Sequence, residues 1–300
     1  MITNDSLWKG IIEDLLLDFL TFFYPDQIFN LEKGYDFLDK ELEELFPLID
    51  SEHKIRRVDK LIKLFDTTGQ ERWILIHIEV QGYSDQNLPS RMFHYFYRIL
   101  DRYKMPVTTL VILTDPDPRY NPSEFKYSVV DSNLLYQYRT YKVIEQSQSE
   151  LEQSDNPFAS VILTTLTALK MNKMDDIGGL ELKTALVRKL LQKGFPKSTI
   201  RSLLNFVRFY TRSSTEKMNF LFENRVKELT SNYETMGVEE MIIQQAEEKG
   251  IEKGIEKGTL QNKVQIAKNM ILKGLPDSFI CEVLDVSQEF VDKVKAEMED

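Results

Sequence analysis

Cysteine is nearly absent: the chain holds one, Cys281, so no internal disulfide can form. A lone thiol suits a reducing compartment, and the cytoplasm is the expected location. Glycine and proline are sparse, at 12 and 10 residues, which excludes a collagen and a Pro/Gly-rich disordered tail. Long hydrophobic runs are missing as well. Asp18 interrupts Leu15 to Phe23, and His77 and Glu79 interrupt Trp73 to Val80. Neither stretch approaches the ~18 apolar residues of a membrane helix, so no membrane contact is expected. Met1 to Trp8 lacks a basic segment leading into an apolar one, so no signal peptide is expected. Positive charge is in deficit: 38 basic against 48 acidic residues give -10. As a sum, that argues against a surface coated for nucleic acid, but it does not say where the charges sit.

What is present is an ordinary globular balance, 42% hydrophobic and 29% charged, over 300 residues. That length suits about two domains, or one with a long appendage. The pattern predicts an amphipathic helix over 5–23, capped by Asp5 or Ser6 and stopped by Pro25. A second helical pattern covers 36–46. The period then changes to two. Lys54 to Phe65 and Trp73 to Gln81 read as strands of an antiparallel hairpin, with Thr67 to Gln70 as its turn. A helix over 88–104, a buried strand over 107–113 and weaker strands near 126–131 and 134–145 follow. Beyond about 150 the pattern is helical, opened by Asn156-Pro157, broken at Gly178-Gly179 and resumed at Ser198 and over Phe220 to Leu229. This order predicts an α/β domain over 1–150, a helical extension over 151–245 and a tail over 246–300.

The hairpin carries the chemistry. Alternation puts Trp73, Leu75, His77, Glu79 and Gln81 on one face of the second strand and the isoleucines on the other. On the first strand Asp59 shares a face with Arg57 and Lys63. Closure of the hairpin would bring Asp59 and Glu79 toward one end. Two carboxylates there can chelate a hard divalent cation through oxygen. The competing reading pairs Asp59 with Arg56 or Lys60 and leaves Glu79 solvated. Polar groups interrupting an apolar strand need partners or a task.

Arg57-Val58-Asp59 followed by His77-Ile78-Glu79-Val80-Gln81 resembles the core of the recombination-promoting nuclease (Rpn) family, which groups with transposase-like proteins of the PD-(D/E)XK nuclease fold. Leu88 to Tyr95, with Arg91, Met92 and Phe93, resembles that family's next helix. Met105-Pro106-Val107 resembles the entry to its next strand, and Leu7-Trp8-Lys9 its opening helix. The likeness covers about 5–145. It implies a restriction-endonuclease-like core, a mixed sheet flanked by helices, and Mg²⁺- (or Mn²⁺-) dependent hydrolysis of DNA. Asp59, Glu79 and the Val80 carbonyl would then hold the metal, which activates water and neutralises phosphate charge. Gln81 departs from the pattern, standing where most such nucleases have lysine. An amide can orient a water but carries no charge. Lys63 and Lys9 are the candidates to supply one, and Glu13 or Asp14 to add an acid. His77 can orient the site or sit as a satisfied half-buried imidazole. Without a lysine, the alternative is a catalytically silent nuclease-fold protein that binds DNA or a protein partner. An RNase would share the same site.

Between Leu182 and Thr215 there is no acidic residue and the formal charge is +8. Lys193, Lys197, Arg201, Arg208 and Arg212 are the expected DNA contacts, neutralising phosphates without reading sequence. The competing reading is a solvated basic face answering nearby acidic helices. Gly250, Gly254 and Gly258 recur every fourth residue and suit close helix packing or a charged linker. Residues 264–295 read as short helices in a helix-turn-helix-like arrangement. Their negative balance favours protein contact or self-association through the C-terminal helices.

Overall fold

The computed structural model describes residues 3–26, 29–39, 58–65, 70–79 and 84–231, with six scattered positions between 271 and 295. The chain divides into two compact units, Met1–Glu234 and Thr235–Asp300. The helices between residues 148 and 231 fall in the same compact unit as the sheet.

Helix α1 (Asn4–Asp14) opens on a reciprocal cap. Thr3 Oγ1 accepts the Ser6 amide at 3.2 Å, and Ser6 Oγ accepts the Thr3 amide at 3.0 Å. The cap thus lies upstream of the expected Asp5 or Ser6. Leu15 leaves helical geometry (φ -120, ψ 37), so the expected single helix is two, α1 and α2 (Leu16–Phe23). Strand β1 (Tyr35–Phe37) replaces the start of the helix expected over 36–46. Residues 40–46 of that segment lie outside the described residues. Strands β2 (Val58–Phe65) and β3 (Glu71–Glu79) form the expected antiparallel hairpin, beginning Val58↔Ile78 and Asp59↔His77. Its turn, 66–69, lies outside them. Helix α3 (Leu88–Tyr103) crosses to β4 (Val107–Leu113), parallel to β3. A separate ribbon, β5 (Glu124–Val129) and β6 (Ser132–Gln137), precedes β7 (Arg139–Lys142), parallel to β4. The main sheet has the order β1-β2-β3-β4-β7.

Helices α4 (Gln148–Gln153), α5 (Pro157–Met171), α6 (Asp176–Gln192), α7 (Lys197–Tyr210) and α8 (Glu216–Ser231) complete the first unit. Asn156 caps α5 by accepting the Phe158 amide at 2.8 Å. Its side-chain amide donates to the Asp18 carbonyl at 3.0 Å, tying α5 to α2. Asp175 caps α6 through the Gly178 amide, so that helix runs through Gly178-Gly179 instead of starting after it. A Cβ at Gly178 would lie 2.8 Å from the capping oxygen, which accounts for glycine there.

The sheet is covered on both sides. Leu61, Val111 and Leu113 pack with Leu88, Met92, Tyr95 and Ile99 of α3. On the opposite side, with Ile62, Leu64, Leu110 and Ile112 buried, α1 packs on β2 and α2 on Tyr141 of β7, and α5 and α7 pack on these helices. Phe158 anchors that layer, with edge or tilted contacts to Phe19, Phe22 and Phe23 at 5.0–6.1 Å. Among the described residues no helix is long and apolar enough to cross a membrane. Phe158→Ala should cost about 3–5 kcal/mol of unfolding free energy. Urea denaturation followed by circular dichroism measures it, and a cost under about 1 kcal/mol would remove Phe158 from this role.

Candidate active site

Register defines the site. Asp59 stands opposite His77 on the β2–β3 ladder, and Glu79 is two positions further along β3. Residues paired across a ladder share a side, as do alternate residues along a strand. Positions 59, 77 and 79 therefore belong to one side of the sheet, with 59 and 79 diagonal neighbours. This is the side that α3 covers, since Leu61 and Val111 share it.

The same register extends sideways. Glu79 stands level with Leu113 on β4, and Leu113 level with Lys142 on β7. Glu79, Leu113 and Lys142 make one row at the carboxyl ends of three parallel strands. In open α/β sheets that is where ligands bind. Strand spacing separates positions 79 and 142 by about 10 Å.

Two buried ion pairs adjoin this row. Lys142 Nζ bonds the carboxylate of Asp115, both side chains at 1% exposure or less. Asp115 also accepts the Asp117 amide at 3.1 Å. Arg91, on the first turn of α3, bonds the carboxylate of Asp85, which takes the Asn87 amide at 2.9 Å. Tyr120 links the pairs. Its ring lies 5.5 Å from Lys142 Nζ, and its hydroxyl donates to the Asp85 carbonyl at 2.8 Å. Asp115 and Lys142 were missing from the sequence candidates. They are 27 residues apart, and only the parallel register of β4 and β7 joins them.

The other sequence candidates are dispersed. Lys63 shares the side of Asp59 but stands opposite Trp73, about 13 Å away along the strand. Lys9, Glu13 and Asp14 are on α1, across the sheet. There Glu13 and Asp39 both accept from buried Lys60 Nζ, at 2.6 and 2.8 Å. Lys60 thus answers carboxylates on the side away from position 59. Asp14 accepts from Ser202 of α7 at 2.6 Å. Val80 and Gln81 lie outside the described residues. Among those residues no three of His, Cys, Asp and Glu cluster as a metal site. The fit to a divalent ion rests on the two carboxylate positions, whose oxygen chemistry suits a hard cation.

The basic segment does not form one free patch. Arg208 Nε lies 2.7 Å from Glu223 of α8 and its side chain is 12% exposed. Arg212 pairs with Glu216 at 3.0 Å, and lies past the end of α7. Lys193 Nζ bonds the Ser154 carbonyl. Within the wider window Lys189 pairs with Glu152 at 2.6 Å. Lys197 and Arg201 are exposed at the start of α7. The glycine repeat lies outside the described residues, as does most of the helix-turn-helix-like segment.

Lys183 is a different case. It is 1% exposed, and Nζ has no hydrogen-bond partner, sitting 4.3 Å from the centre of the Phe222 ring. Burial pulls its pKa below the ordinary 10.5, against the opposing charge of Glu223. Comparison of the chain with family models, curated proteins and solved structures finds no match.

Two measurements test these buried charges. Lys142→Ala leaves Asp115 buried without its cation and should cost about 3–5 kcal/mol, whereas Asp115→Asn with Lys142→Met should cost less. Equal losses in chemical denaturation would dissolve the pair. For Lys183 the folded state binds fewer protons than the unfolded chain just below pH 10.5, so its contribution makes stability rise with pH there. Lys183→Met should raise stability at neutral pH by about 1–3 kcal/mol and flatten that slope. An unchanged pH profile would mean that the amine is solvated.

Proposed function

We propose that the first unit is a metal-dependent DNA endonuclease of the PD-(D/E)XK type. The observation that carries this reading is the β2–β3 register, with Asp59 opposite His77 and diagonal to Glu79. Two features support it. The element order α1-α2-β1-β2-β3-α3-β4, with three antiparallel strands and a parallel fourth, suits that fold. The row through Glu79 also ends where open sheets receive ligands.

Asp59 and Glu79, with the Val80 carbonyl, would hold Mg²⁺ or Mn²⁺. When bound, the ion supplies an activated water and a counter-charge for the phosphate. His77 would orient that water or a phosphate oxygen. Gln81 would fix a neighbouring oxygen through its amide without adding charge. Lys197 and Arg201 are among the exposed cations from which DNA could gain backbone attraction.

The second reading, a nuclease-fold protein that binds without cutting, is favoured by Gln81 in the lysine position and by the basic side chains already engaged with acids. Plasmid nicking in Mg²⁺ and Mn²⁺, run on wild type, Asp59→Ala and Glu79→Ala, separates them. The nuclease reading expects metal-dependent nicking that falls to background in both variants. Equal nicking by all three proteins would sink it. DNA binding without nicking by any of them would give the second reading.

A further inference from the structure

The β5–β6 ribbon stands outside the main sheet and lacks a core of its own. Every residue from Lys126 to Leu135 is exposed, and Val130 at the turn is 91% exposed. Only the base is packed. Phe125 stacks on Phe93 at 4.9 Å, and Tyr136 on Phe96 at 4.5 Å. Tyr127, Val129 and Leu134 continue that packed side outward, past α3, and all three are exposed. An isolated two-stranded ribbon is marginal in water. Val130 adds a cost, since φ 50 is unfavourable for a β-branched residue.

The hydrogen bonds of the ribbon locate its open edge. The Tyr138 amide donates to the Ser123 carbonyl at 2.9 Å, in register with Phe125↔Tyr136 and Val129↔Ser132. Hydrogen-bonded pairs alternate along an antiparallel ladder. The main-chain groups of 123, 125, 127 and 129 therefore face β6, and those of 124, 126 and 128 face outward. Among the described residues no strand pairs with that outer edge. Its charges, Glu124 and Lys126, already meet there at 2.5 Å.

We propose that the outer edge of β5 pairs antiparallel with β5 of a second copy of this chain, joining the two ribbons into one four-stranded sheet across a twofold axis. Only 124, 126 and 128 can form the hydrogen-bonded pairs. Centring the axis on Lys126 would set like charges opposite each other, which is unfavourable. Centring it on Phe125 sets Glu124 opposite the partner subunit's Lys126, and Lys126 opposite the partner subunit's Glu124. The edge is thus complementary to itself, as a twofold contact requires. Its zero net charge offers little to a polyanion or a strongly basic partner. Pro122, with no amide hydrogen, closes the ladder at the end where Ser128 would pair.

The inference does not depend on the nuclease reading, because the ribbon lies apart from positions 59 and 79. Sedimentation velocity on the full chain tests it at several concentrations and low salt. Wild type should dimerise. Lys126→Glu, which sets Glu124 against a second glutamate, should weaken the dimer about tenfold. The exchange Glu124→Lys with Lys126→Glu should restore it. A wild-type chain monomeric at its highest soluble concentration would overturn the proposal. So would a dimer indifferent to Lys126→Glu, or a double exchange that restores nothing.

Discussion

Strand β4 has no side open to water, and the rest of the first unit follows from that. Leu110 to Leu113 are fully buried in succession, so each side of the strand needs its own cover. On one side α3 supplies Leu88, Met92, Tyr95 and Ile99. On the other, α1 packs on β2 and α2 on β7, and α5 and α7, from beyond residue 150, pack on those helices. Helices that read as an appendage thus back the helices that cover the sheet. Trp8 of α1 makes the point locally, fully buried with its ring edge-on to Phe206 of α7.

The same arrangement concentrates charge where the parallel strands end. Asp115 and Lys142 answer each other, Asp85 answers Arg91, and Tyr120 spans the two. Each ion is expensive to bury alone and tolerable only as a pair. This gives the edge beside Glu79 a fixed polar wall. Across the sheet, Lys60 gathers Glu13 and Asp39 and fastens β2 to α1. Lys183 breaks the pattern, a buried amine facing a ring without an acid bonded to it.

Much of the fold was legible wherever period and caps act locally. The strand at 107–113 was read to the residue, and the β2–β3 hairpin followed from alternation and the turn. Asn156-Pro157 announced α5 because a side-chain acceptor and a fixed φ act within two residues. The break at Leu15 was not legible, since a leucine there is a good helix former and only its packed neighbours set its backbone. Strand β1 was hidden too. Its three residues gain a strand's hydrogen bonds only from β2, over twenty positions away. At the site, alternation was enough to group His77 with Glu79. Nothing in the spacing disclosed that Lys142 stands level with Glu79.

By itself, the sequence determined what depends on neighbours in the chain: which segments coil, which extend, where side chains alternate, and that Asp59 and Glu79 lie on neighbouring strands of one hairpin. Tertiary structure decided what each charge meets. Of the basic residues between 182 and 215, several that look alike in sequence become ion-pair partners of α8 or α4, one becomes a buried amine, and Lys197 and Arg201 stay exposed at the start of α7. The physical reason is distance. Charge along a chain is additive, whereas its effect depends on which opposite charge, ring or solvent lies within a few ångströms after folding.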